Sequence, residues 1–182
     1  MHLFIQAFVL AAICELGDKS QILAAALGAY GRKPLRVLLA DACAVASSHI
    51  FAVWLGRRGA ELLGARVVSI LSALLFVAMA FAIAFSKGGE APRKLSTSFL
   101  GCYFLFLIAE LGDKTQILAG ILGARSGNLA LIVAGTTLGA LLPDLVAVLL
   151  GARFSFALQS KPVRWGLAAA FVVAAAFSVL TS

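Results

Sequence analysis

Residues 15–29 read ELGDKSQILAAALGA, and residues 110–124 read ELGDKTQILAGILGA. Twelve of fifteen positions match at an offset of 95, and one of the differences is the conservative Ser20 against Thr115. The same offset pairs Gly56 with Gly151 and Arg58 with Arg153, and it lays the third apolar run of the chain over the sixth. Apolar matches alone would be cheap in so apolar a chain. Glu, Gly, Asp, Lys and Gln in register are not.

The composition says what surrounds these motifs. Of 182 residues, 62% are hydrophobic and 13% charged, against about half and about a quarter in a soluble domain. Too few polar side chains exist to coat a globule in water. Intrinsic disorder fails on the same ground. Three cysteines, Cys14, Cys43 and Cys102, make neither a disulfide framework nor a C-x-x-C redox pair, and they read as packing residues inside helices. The net charge is +7. Its basic residues fall in short connectors, with no aromatic-interleaved patch, so nucleic acid is not a partner. The lipid bilayer is.

Runs of about 20 apolar residues mark membrane spans. Six are expected, at roughly Leu3–Ala29, Leu35–Gly56, Ala65–Phe85, Ser98–Ala124, Asn128–Gly151 and Trp165–Thr181. They are continuously apolar rather than alternating, which favours helices over a barrel. The fold class is all-α: an integral membrane protein of six transmembrane helices. Residues 1–85 form a first three-helix repeat, 86–97 a basic connector, and 98–182 a second repeat. Three is odd, so the second repeat enters the bilayer from the opposite side. Inverted repeats of this kind recur in secondary transporters, with the site at the midplane. Glu15, Asp18 and Lys19 interrupt the first run, and no basic segment precedes it, so it is no cleavable signal peptide.

Nine basic residues fall in connectors 1–2, 3–4 and 5–6, against four in connectors 2–3 and 4–5. The positive-inside rule then puts both termini outside. The setting expected is a bacterial inner membrane. Monomer and homodimer both remain open.

Six of the eight acidic residues fall inside expected spans: Glu15, Asp18, Asp41, Glu110, Asp113 and Asp144. Lys19 and Lys114 are inside too. A charge at the bilayer centre costs about 2.5–3.5 kcal/mol on insertion scales, so each needs a partner, water or an ion. On a helix Glu15 and Asp18 share a face, as do Glu110 and Asp113, while Glu15–Lys19 and Glu110–Lys114 are i, i+4 pairs. Gln21 and Gln116 follow along that face. Gly17 and Gly112 permit either close helix approach or a local break.

Four carboxylates less two ammonium groups leave a formal −2, which matches one divalent cation or two protons. Carboxylate, amide and hydroxyl oxygens suit hard cations such as Mg²⁺, Ca²⁺ or Mn²⁺. The metal candidates are Glu15, Asp18, Glu110 and Asp113. Lys19, Ser20, Gln21, Lys114, Thr115 and Gln116 are the supporting set. Asp41, His49 and Asp144 are secondary candidates: the two aspartates line an ion path or pair with a lysine, and His49 is a structural histidine or a contributor to the site. A structural salt-bridge network is the competing reading of the motifs.

ELGDKS at 15–20 and ELGDKT at 110–115 resemble the paired E-x-G-D-[K/R]-[S/T] signature of uncharacterised protein family 0016, the Gdt-type manganese and calcium transporters. The resemblance covers the whole chain. It implies a secondary transporter that exports Mn²⁺, or alternatively Ca²⁺, from the cytosol in exchange for protons, with the motif acids as ligands, no cofactor and no enzymatic activity. Two rivals stand beside it. One is a passive cation channel. The other is an intramembrane aspartyl protease built on Asp18 and Asp113, which adjacent Lys19 and Lys114 disfavour because a protease dyad must keep one acid protonated.

Overall fold

A computed structural model describes residues 1–31, 33–85, 98–125, 127–150 and 161–180. The expected basic connector at 86–97, with Lys87, Arg93 and Lys94, lies outside the described residues, as does Arg153. The described residues form helices and no strands: α1 (His2–Glu15), α2 (Lys19–Gly31), α3 (Pro34–Leu63), α4 (Ala65–Ala84), α5 (Phe99–Glu110), α6 (Lys114–Arg125), α7 (Leu129–Leu150) and α8 (Lys161–Leu180). The offset of 95 carries Glu15 to Glu110, Lys19 to Lys114 and Pro34 to Leu129, so helix ends as well as letters repeat.

Two expectations need correction. The first and fourth apolar runs are not continuous helices. Each is broken at its middle, between Glu15 and Lys19 and between Glu110 and Lys114. The cause is local: Gly17 and Gly112 sit at φ 76° and 74°, a left-handed conformation that glycine alone adopts without a steric penalty. Glu15–Lys19 and Glu110–Lys114 are therefore not neighbours on one helix. The second correction concerns Gly-Arg-Arg-Gly at 56–59, expected as a connector. α3 runs through it to Leu63 and stops at Gly64, φ 76°. Arg57 and Arg58 both pair with Glu61, at 3.1 and 3.0 Å, and i, i+3 and i, i+4 pairs of this kind support the added turns.

Polarity is inverted relative to a soluble protein. Glu15, Gln21, Asp41, His49, Thr115 and Asp144 are fully buried, while Phe81, Ile108, Leu149 and Val173 are all more than 60% exposed. α3 and α7 are long and apolar enough to cross a membrane. α1, α2, α5 and α6, at 12 to 14 residues, rise only about 20 Å each, short of a hydrocarbon core of about 30 Å.

The helices pack across the chain rather than within each half. α1 and α2 lie against α7, α5 and α6 lie against α3, α3 crosses α7, and α4 pairs with α8. Small residues set the approach. A Cβ on Gly135 would stand 2.7 Å from the Phe4 carbonyl oxygen, and one on Gly139 2.3 Å from that of Phe8. This is a G-x-x-x-G contact between α7 and α1. At the equivalent positions of α3, Ala40 and Ala44 pack with Cys102 and Phe106 of α5. Each broken helix pair is thus clamped to the long helix of the opposite half, which brings the two breaks together.

Candidate metal site

Each break carries its own wiring. Where a helix stops, backbone N–H groups lose their intrahelical acceptors. Gly17 N donates to Gln21 Oε1 at 2.9 Å, and Gly112 N donates to Gln116 Oε1 at 2.6 Å. Asp18 N and Asp113 N donate back to the carbonyls of Glu15 and Glu110, each at 3.1 Å. The motif glutamines close the turns that the motif glycines open.

Hydroxyls then hold the glutamates. Ser20 Oγ donates to Glu15 Oε1, and Thr115 Oγ1 donates to Glu110 Oε2 at 3.3 Å. Asp113 Oδ2 accepts from Thr115 N at 3.2 Å, capping the start of α6. Both glutamates are buried. No hydrogen-bond donor reaches Glu15 Oε2 among the described residues.

The two breaks meet. One carboxylate oxygen each from Glu15, Asp18 and Asp113 lies within 4.8 Å of the others. Lys114 Nζ donates to Asp18 Oδ1 at 2.6 Å, an ion pair between the halves. Glu110 neighbours Asp113 electrostatically but stands beside the trio rather than in it. Lys19 opens α2, and its side chain lies outside the described residues.

Asp41 of α3 and Asp144 of α7 form an adjoining polar layer where the two helices cross, and His49 lies about two turns further along α3. Asp144 Oδ1 accepts from Ser20 Oγ at 3.4 Å, which ties the layer to the first motif. The carboxyl groups of Asp41 and Asp144 face each other. When ionised neither can donate, and among the described residues both oxygens of Asp41 and Oδ2 of Asp144 lack a donor. Ser48 Oγ, Thr137 Oγ1 and both ring nitrogens of His49 are likewise buried without a partner among the described residues. Buried polar atoms left this way are costly, and the facing Asp41 and Asp144 carboxyl groups fit a region that holds water or an ion. Cys14 and Cys102 are buried packing residues, but Cys43 is exposed on α3.

An all-oxygen donor set from three carboxylates on two broken helices suits a hard divalent cation. The cross-half pair Lys114–Asp18 has no sequence signal beyond the motif, because its partners are 96 residues apart.

Known proteins resemble the chain. The chain is 36% identical over 143 residues, 77% of its length and 72% of the relative's, to a Vibrio cholerae protein named "Putative manganese exporter". It is 34% identical over 73 residues, 40% of its length and 19% of the relative's, to the Arabidopsis thaliana protein named "Protein PAM71, chloroplastic". No solved structure matches. Residues 3–91 and 98–182 match the model of the divalent cation/proton antiporter GDT1, so the chain belongs to that family of membrane cation transporters.

Proposed function

We propose that the protein exports Mn²⁺ from the cytosol across a bacterial inner membrane in exchange for protons, by alternating access around one site. The observation that carries this is the trio Glu15, Asp18 and Asp113, gathered within 4.8 Å from the breaks of two different helix pairs. Broken helices meeting at a common point are the recurring way in which transporters build a midplane ion site. The oxygen ligands accept Mn²⁺, Ca²⁺ or Mg²⁺; the relative's name favours manganese.

α1–α2 and α5–α6 each cross as one interrupted span, giving six spans in two inverted halves with both termini outside. The paired packing of α1 on α7 and α5 on α3 supports that symmetry. Inverted halves exchange conformations as the protein rocks. The exchanged state replaces Glu15 by its equivalent, so that Glu110, Asp113 and Asp18 hold the ion while Glu15 rests on Ser20. Release follows when protons neutralise the carboxylates, which makes crossing a low-dielectric barrier without metal less costly.

A protease dyad would also set Asp18 against Asp113. Lys114 Nζ occupies Asp18, where such a dyad would share a proton between its two acids, and the family is one of antiporters. Reconstituted protein tests the reading. A proton gradient should drive Mn²⁺ uphill, with Ca²⁺ and Mg²⁺ measured in parallel. Flux that only ever runs down the metal gradient would identify a channel instead.

A further inference from the structure

We propose that Lys114 is a tethered counter-ion: it competes with the divalent cation for Asp18, and it takes the cation's place there when the site crosses the membrane empty. This rests on the reading of Glu15, Asp18 and Asp113 as cargo ligands.

The geometry sets up the competition. Lys114 Nζ is 2.6 Å from Asp18 Oδ1, and Asp18 is one of the three acids whose oxygens converge within 4.8 Å. A divalent ion among those oxygens and an ammonium on the same carboxylate would be close like charges in a poorly screened place. Both are accommodated only if the ammonium draws back. The pair is reachable: the Lys114 and Asp18 side chains are 18% and 13% exposed, whereas Glu15 is fully buried. Lys114 also opens α6 while Asp18 belongs to the break before α2. Making and breaking their bond therefore acts between the two bodies that must move.

The charges balance on both legs. Three carboxylates, one ammonium and one divalent cation sum to zero. With the metal gone, Lys114 neutralises Asp18 and two protons neutralise the other two acids, so the empty site also sums to zero and one of the three acids returns already paired. Without the ammonium that acid would cross low dielectric bare or have to take up a third proton. The loaded leg needs no such help, because the metal itself supplies the charge.

Net transport uses the empty leg and metal-for-metal exchange does not, which separates the two roles of the residue. Full-length protein in proteoliposomes would be assayed for proton-driven net Mn²⁺ flux and for counterflow of radiolabelled Mn²⁺ at equal concentrations. Detergent-solubilised protein would be assayed for Mn²⁺ binding. For Lys114→Gln we expect net flux to fall at least about tenfold, counterflow to fall at least about fivefold less than net flux, and Mn²⁺ to bind several-fold more tightly. Lys114→Arg, which keeps the charge, should retain net flux. Equal loss of net flux and counterflow in Lys114→Gln with binding unchanged would make the pair a structural brace and overturn the proposal. So would loss of net flux in a monodisperse Lys114→Arg protein, a readout that survives if the Gln variant does not fold. Counterflow persisting in Asp18→Asn would instead sink the underlying ligand assignment.

Discussion

Gly56 of α3 and Gly120 of α6 meet backbone to backbone: a Cβ on Gly56 would stand 1.9 Å from the Gly120 carbonyl oxygen. Gly59, one turn further along α3, would meet nothing within 4 Å. Identical substitutions at these two glycines should therefore act in opposite directions. Gly59→Ala should stabilise by about 0.5–1 kcal/mol, the helix-propensity difference. Gly56→Ala gains the same propensity, but it forces apart two backbones that cannot rotate out of the way. Overpacking costs about 1–3 kcal/mol and more when nothing yields, so the clash wins. Denaturant unfolding of the solubilised protein would measure both. A Gly56→Ala protein as stable as the parent would mean that α3 and α6 do not touch here.

Much of this architecture was legible in the sequence, and the limits have physical causes. The offset of 95 locates equivalent helix ends because a motif that breaks one helix breaks its copy. It does not choose between close approach and a break at Gly17 and Gly112, since glycine allows both. The choice follows from Gln21 and Gln116, whose amide oxygens take up the freed N–H groups. Glu15 and Lys19 look like neighbours only on a continuous helix; the break leaves Asp18 to Lys114 of the other motif. Gly-Arg-Arg-Gly looked like a connector because glycine weakens a helix; the Arg57–Glu61 and Arg58–Glu61 pairs support it. The small residues 40, 44, 135 and 139 show a repeating pattern, yet nothing in one chain's letters says which helix each pair receives.

The positive φ at the breaks makes its own prediction. Gly112, at φ 74°, has open space around a built Cβ. Gly112→Ala should then cost only the left-handed penalty, about 1–2 kcal/mol. Gly112→Asn should cost less, since asparagine tolerates this region. Unfolding midpoints that rank Gly above Asn above Ala would support a true break. Equal stability of all three would mean that the span straightens.

The two capping glutamines should not be equivalent. Gln21 is fully buried and Gly17 half-buried, so Gln21→Leu leaves the Gly17 N–H with little access to another acceptor, at about 1–3 kcal/mol. Gly112 is exposed, and its N–H can recover water if the break opens onto an aqueous vestibule. Gln116→Leu should then cost under about 1 kcal/mol. Thermal unfolding of both variants decides the matter. A cost at Gln116 as large as that at Gln21 would put the second break against lipid.

Glu15 and Glu110 are sequence equivalents in unequal positions, one inside the carboxylate trio and one beside it. The proposed alternating access by inverted halves would require such an inequality of a single state, and it separates two mutants that the repeat alone would treat as identical. Glu15→Gln removes a ligand from the state described here, so Mn²⁺ binding to protein trapped in this state should weaken at least about tenfold, the scale of one lost charged ligand. Glu110→Gln leaves that trio intact. Binding in the trapped state should stay within about threefold of the parent, while export should fall by about a hundredfold because the exchanged state lacks its glutamate. Both proteins keep their shape, since amide replaces carboxylate at nearly equal volume and Ser20 and Thr115 can still donate. Binding measured on protein cross-linked between the halves, set beside flux in vesicles, reads the two effects separately. If the two variants lose binding equally, both glutamates hold the ion at once, and the exchange of ligands between the two states is wrong.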